Sequence, residues 1–463
     1  MKPAEPPILT TVFLSMLLML CGAAKLRGED YRYSTNAGMV TITSYTGAGG
    51  VVAVPDTIQG LPVRCIGSEA FIYCSDLLEV TIPGSVTNIG DMAFLGCVGL
   101  TSVNLTGGII SIGEQAFRQC LSLGSINIPA SVASIGDGAF NSCESLLGFS
   151  VDPQNASYSS RDGMLFDRSQ ATLITFPAGQ GGNVNIPDGV ITIGLEAFAS
   201  CSRLERVVIP PSARSIEDGA FADCSLTDIT IPFGVTNLGR FAFATCDNLA
   251  EVAIPGSVTS LQEGAFKDCP SLTRMTIPGS VSSIGYGAFA NCTGLTNVDI
   301  LTGVTSIAKQ AFYECIALGR VLIPKSVTLI GTEAFFFCTN LTAVYFEGDA
   351  PTADFYAFDF DDHATFYYLP ETAGWAATYG GRPTAVWWPR IQTADGRLGV
   401  QANQFGFNIT WASGKVVVIE ACTNLVQSGW LPIGTNTLAG GSSHFVDPEP
   451  ANHAGRFYRI RWP

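Results

Sequence analysis

Apolar and polar positions in this chain keep two rhythms in turn, and the alternation restarts every 22–23 residues. In the unit that begins at Ile89, the apolar residues Ile89, Ala93, Phe94 and Cys97 fall at the spacing of one helical turn. Leu100, Val103 and Leu105 then lead into a stretch where apolar residues alternate with exposed ones, as in a strand with one buried face. Seven units place proline directly after that strand: Pro83, Pro129, Pro210, Pro232, Pro255, Pro278 and Pro324. Proline gives no ladder hydrogen bond, so it ends the strand and turns the chain. Each unit therefore predicts a short strand, a short helical turn and a tight return.

The most regular part of the unit is Ala-Phe-x-x-Cys, which occurs eleven times. Its phenylalanines are Phe71, Phe94, Phe117, Phe140, Phe198, Phe221, Phe243, Phe266, Phe289, Phe312 and Phe335, and the cysteines run from Cys74 to Cys338. A fixed period of this length marks a solenoid, whose units bury their apolar faces only against neighbours. The predicted fold is a mainly β solenoid of about eleven coils, with the phenylalanines forming a continuous internal ladder. At the spacing of adjacent strands, such a stack is on the order of 50 Å long.

The consensus I-G-x-x-A-F-x-x-C-x-x-L-x-x-V-x-I-P-x-S-V closely resembles the BspA-type leucine-rich repeat family, from about Ile66 to Phe346. Departures are few: Cys224-Ser-Leu226 is one residue short, and Leu238 and Leu261 replace the opening isoleucine. The pattern breaks at Asp152 and resumes at Ile193; within the gap, Gly163–Phe166 and Ala171–Phe176 read as strands of a hairpin or bulged coil. The resemblance implies a capping hairpin at 25–62, with runs at Met39–Tyr45 and Val51–Pro55, and repeats over 63–387 with a variant insert at 152–187. The segment from Phe346 to about Trp387 resembles the closing part of the same repeats. Beyond it the period vanishes. Runs Arg397–Ala402, Gly406–Trp411, Lys415–Ala421 and Arg456–Trp462 predict a small antiparallel β-sandwich at 388–463.

Composition narrows the function. Charged residues are only 14% of the chain and net charge is −15, without a basic stripe, so nucleic acid is not an expected partner. Residues 1–24 read as a signal peptide: one lysine, an apolar run from Ile8 to Leu20 too short to span a bilayer, then Gly22-Ala23-Ala24. Cys21 is a candidate for lipidation, although Leu20 before it is a poor match to the small residue a lipobox prefers. The leader implies export, either secreted or to the cell surface, and no later stretch is apolar enough to span a membrane, so the mature chain is expected to be soluble once exported.

Fourteen cysteines in an exported chain raise the question of disulfides. The ladder cysteines are odd in number, point in parallel and occupy apolar slots, so reduced, buried thiols are expected, with Cys65 as a partly exposed exception. There is no C-x-x-C pair for zinc. His363, His444 and His453 are the only histidines, and Gly440-Gly441-Ser442-Ser443-His444 is not a nucleophile elbow, so no catalytic residue is assigned. Glu347, Asp349, Asp354, Asp359, Asp361 and Asp362 lack the EF-hand order and read as a solvated acidic loop. Paired glycines without a following helix do not make a phosphate loop, and no metal or cofactor is expected.

What remains is a surface. The outward residues of successive strands form two rows, and bulk and charge gather near the C-terminal end at Arg274, Asn297, Asp299, Arg320, Leu322 and Tyr345. Arginine and tyrosine are common interface anchors. The resemblance implies a non-catalytic scaffold for protein interaction or adhesion, with a protein or extracellular-matrix ligand. The alternative is a carbohydrate-binding or structural cell-envelope protein acting through the C-terminal module, favoured if Trp375, Trp387, Trp388 or Trp430 is solvent-accessible.

Overall fold

A computed structural model describes residues 30–462, apart from 355, 402–403, 424–428 and 449–454. Residues 1–24, expected to be a signal peptide, and with them Cys21, and also His453, therefore lie outside the described residues. The chain winds into a β-solenoid of about 14 turns. Each coil gives one strand to a parallel sheet, as in the pairing of Leu77–Ile82 with Ser102–Leu105. After the proline turn a second, two-residue strand pairs on another side, as Asn88–Ile89 does with Ser111–Ile112. That second strand was not read from the sequence.

The expected helical turn is absent. In the Ala-Phe-x-x-Cys segment, alternate amides bond the next coil: Met92 N–H to Glu114 O at 2.8 Å, Phe94 N–H to Ala116 O at 2.7 Å, and Gly96 N–H to Arg118 O at 2.9 Å. The amides between them close local turns, such as Leu95 N–H to Met92 O at 3.1 Å. Met92 and Gly96 hold φ of 55° and 70°, and each left-handed residue swings the following peptide out of a helical path. A three-to-four-residue spacing of buried side chains fits consecutive turns as well as it fits a helix. Pairing with the neighbouring coil decides between them.

All eleven phenylalanines are at most 2% exposed. Their rings stack at 4.7 Å from Phe71 to Phe94 and at 5.3 Å from Phe289 to Phe312. The ladder also reaches further than expected, to Tyr45 at one end and Phe358 at the other. Phe358 belongs to a twelfth copy of the motif in which Asp361 takes the cysteine slot. Coils at Gly50–Ala53, Gly182–Asn185 and Thr365–Tyr368 lack the full motif but pair in parallel with their neighbours, so the stack exceeds eleven.

The ladder is not continuous. Phe140 meets Phe149 edge-on at 5.2 Å, and stacking resumes only from Phe176 to Phe198 at 4.9 Å. Between them Tyr158–Arg161, Met164–Asp167 and Thr172–Thr175 form an antiparallel meander with a bulge at Leu165/Phe166. Leu165 packs into the N-terminal core, whereas Met164 and Phe166 pack into the C-terminal core. The insert is thus a partition buried on both faces, which explains its unbroken apolar run. Asn155, 1% exposed, ties it down: Nδ2 donates to Pro129 O at 2.8 Å and Val132 O at 2.9 Å, while Oδ1 accepts from the amides of Ser157 and Tyr158.

At the N-terminal edge the hairpin joins Met39–Tyr45 to Tyr31–Asn36, while the run at Val51 enters the parallel sheet instead. At the other edge Thr378–Tyr379 folds antiparallel onto Arg382–Val386. The described strands between Arg390 and Arg461 form two antiparallel sheets around Phe407, Ile409, Trp411, Val417, Ile419 and Phe445. Leu369, from the end of the solenoid, is buried in that small core and fixes the module against the stack.

Candidate functional site

Strand alternation sets the geometry of the exposed sheet face. Val298 and Ile300 point inward, so Asn297 and Asp299 face out. Parallel pairing aligns them across coils: Arg274, Asn297 and Arg320 fall in one row, and Asp299, Leu322, Tyr345 and Tyr367 in the next. Tyr367 extends the second row beyond Tyr345, where the row read from the sequence ends.

The C-terminal module roofs one end of this face and leaves a cleft of about 600 Å³. Asn297, Asp299, Arg320, Leu322, Tyr345 and Glu347 form its floor. Trp387, Arg390, Gln392, Thr410, Ser413 and Ser442 line it from the module and the segment leading into it. Five of the six candidate face residues therefore meet in one cavity. Arg274 does not; it lines a separate groove of about 730 Å³ with Arg206, Asp228, Thr230, Glu251 and Thr276.

The roof is held by specific contacts. The Trp387 amide donates to Tyr368 O at 2.6 Å, and Trp411 Nε1 donates to Trp387 O at 2.7 Å. Lys415 of the module pairs with Glu371 at the end of the solenoid. Within the cleft Tyr345 stacks on Tyr367 at 5.1 Å and lies 4.8 Å from Trp387, tilted by 50°. Asn297 Nδ2 donates to Asp299 Oδ1 at 3.2 Å. Burial pushes the Glu347 carboxyl above its ordinary range, and the positive charges of Lys415 and Lys325 oppose that shift.

The module-side residues of this cleft escaped the sequence reading. They carry no repeat period, and only folding brings them over the sheet. Trp387 was the one signal available. Among the tryptophans, Trp388 is 53% exposed beside Trp462 and Arg461, whereas Trp375 packs against the solenoid core. Trp430 lies under the Arg459 guanidinium at 4.4 Å, and Arg459 and Arg461 both pair with the buried Glu420.

Other candidate chemistry disperses. His363 is exposed, and His444 Nδ1 lies 2.7 Å from Asn408 Oδ1. Among the described residues no group of three or more His, Cys, Asp or Glu side chains is placed to hold a metal ion. The acidic loop is not wholly solvated: Asp361 is 0% exposed, and burial pushes its carboxyl up to about 9 against the pull of the Cys338 backbone amide and Arg382. The thirteen described cysteines are free; Cys65 and Cys74 are half-buried and the others buried.

This geometry defines a leucine-rich repeat solenoid. The BspA type leucine rich repeat region matches in six copies, over residues 64–180, 175–296 and 259–373, and the chain belongs to that family. A leucine-rich repeat protein from Eubacterium ventriosum is 25% identical with a TM-score of 0.50, over 65% of this chain and 91% of that one. A leucine-rich repeat protein from Bacteroides ovatus is also 25% identical, with a TM-score of 0.44, over 73% of this chain and 97% of that one. A leucine rich cell surface protein from Faecalibacterium prausnitzii is 25% identical with a TM-score of 0.34, over 69% of this chain and 94% of that one. No curated protein matches the chain. Among the described residues no helix is long and apolar enough to cross a membrane.

Proposed function

We propose that the chain is an exported, non-catalytic scaffold that holds an extracellular protein or matrix ligand on its sheet face, in the manner of an adhesin. The observation that carries this reading is the convergence of Asn297, Asp299, Arg320, Leu322 and Tyr345 in one roofed cleft. Family membership supports a scaffold role, and arginine and tyrosine at the centre of a partly enclosed patch are efficient binding anchors. The test is surface plasmon resonance of the full chain against a panel of purified extracellular-matrix proteins. Binding that falls at least tenfold in both Arg320→Ala and Tyr345→Ala supports the reading. Binding unaffected by either variant counts against it.

A second reading assigns a carbohydrate-binding or structural envelope role to the C-terminal module. The exposed Trp388, in a groove of about 460 Å³ with Trp462 and Arg461, favours it. Loss of glycan binding in Trp388→Ala, with the sheet-face variants unchanged, is the result that distinguishes it.

A further inference from the structure

The lining of the roofed cleft points to a particular ligand chemistry. Its volume of about 600 Å³ lies in the range of small-ligand sites, whereas a specific protein interface buries roughly 800 Å² on each partner. The strands beneath it have no free edge: Arg320–Ile323 pairs with Asn297–Ile300 on one side and Ala343–Phe346 on the other. An added peptide strand therefore has no backbone groups to join. Recognition must run through side chains.

Those side chains are balanced in charge. Arg320 and Arg390 are cationic, and Asp299 and Glu347 are their acidic counterparts in the same cavity. Asn297 and Gln392 add amides, each both donor and acceptor. All six end in planar groups: the guanidiniums present paired donors, the carboxylates paired acceptors, and the amides one of each. Between them sits the aromatic surface of Tyr345 and Trp387. A matching ligand has no net charge, carries adjacent groups that both donate and accept, and offers one apolar face. Pyranose rings meet all three conditions, with vicinal hydroxyls for the planar groups and a C–H face for the aromatic rings.

Resting on the reading of the sheet face as the binding surface, we propose that this cleft takes a neutral saccharide of roughly two to three rings, a size suited to small-ligand cavities. Sheet and module each supply part of the site: Asn297, Asp299 and Arg320 from below, Arg390 and Gln392 from above. Neither half carries the whole lining, and the site is distinct from the Trp388 groove of the second reading.

The experiment applies the full chain to an array of neutral oligosaccharides ending in glucose, galactose, mannose or N-acetylhexosamine. Retention on a subset is expected, with Asp299→Asn and Gln392→Ala each weakening it at least tenfold and Arg274→Ala leaving it unchanged. Circular dichroism checks that each variant is folded. A second arm offers purified matrix proteins before and after enzymatic removal of their glycans. Capture lost on deglycosylation supports the inference and places the sugar on a partner protein. Array binding without capture of any matrix protein supports it and points to a free polysaccharide. Capture that survives deglycosylation but is lost in Arg320→Ala overturns the saccharide and leaves the face reading standing. Array binding indifferent to Asp299→Asn and Gln392→Ala overturns the inference, and binding of neither sugar nor protein overturns both.

Discussion

The thiol of Cys97 donates its hydrogen to the carbonyl oxygen of Phe71, one coil back, at 3.0 Å. The contact recurs along the stack, from Cys120 to Phe94 at 3.3 Å through Cys338 to Phe312 at 3.2 Å. Cysteine suits the slot because it is small, apolar and a weak donor, so it fills the space and satisfies the carbonyl together. Burial pushes the Cys97 and Cys292 thiols up to about 12, far from the reactive thiolate. In the native protein a maleimide should therefore label Cys65 and Cys74 first, and the buried ladder only after denaturation. Mass spectrometry of labelled peptides checks this; rapid native labelling of Cys292 would contradict it.

Phe243 is fully buried between Phe221 and Phe266. Phe243→Ala should cost about 3–5 kcal/mol. Because contacts pass only between neighbours, hydrogen exchange should rise around residues 221–266 and stay unchanged near Phe94. Uniform exchange gains along the whole chain would show that the stack opens as one unit.

Asn155→Ala removes two donated and two accepted hydrogen bonds at a site that water cannot reach. It leaves the Pro129 and Val132 carbonyls without those donors, a loss of about 2–4 kcal/mol. Chemical denaturation measures it. Asn155→Asp should be at least as damaging, because a carboxylate offers those carbonyls no hydrogen.

Asp361 makes stability depend on pH. Its carboxyl ionises near 3.8 in the unfolded chain but at about 9 when buried, so between these values the folded form keeps a proton that the unfolded form has lost. The contribution is full below the lower value and is lost progressively as pH rises through the upper one. The melting temperature of Asp361→Asn should exceed that of the unaltered chain by a margin that grows from pH 5 to pH 9. Parallel melting curves across that range would refute the assignment.

The solenoid was legible because each Ala-Phe-x-x-Cys repeats its own environment, so the ladder could be read by counting. Phe358 was countable too, but Asp361 broke the motif and hid the twelfth copy. The turn structure at Met92 and Gly96 was not legible, since helical and consecutive-turn spacings of buried residues coincide. The floor of the cleft followed from strand alternation at Asn297, Asp299 and Arg320. Its roof did not: Arg390 and Gln392 belong to an aperiodic segment whose placement depends on Leu369 and Trp387 docking, which no local pattern encodes.

The partition formed by Met164–Asp167 and Thr172–Thr175 also bears on how the stack would respond to a pulling force. A tether anchored near one end and gripped by its ligand near the other transmits force through every coil in series. Among the described residues no ring contact joins Phe140 to Phe176, and the buried side chains of the solenoid fall into two separate cores. Stretched under flow, such a rod should yield in two length steps, first one half and then the other, so that the half still folded keeps its grip while its neighbour absorbs the pull.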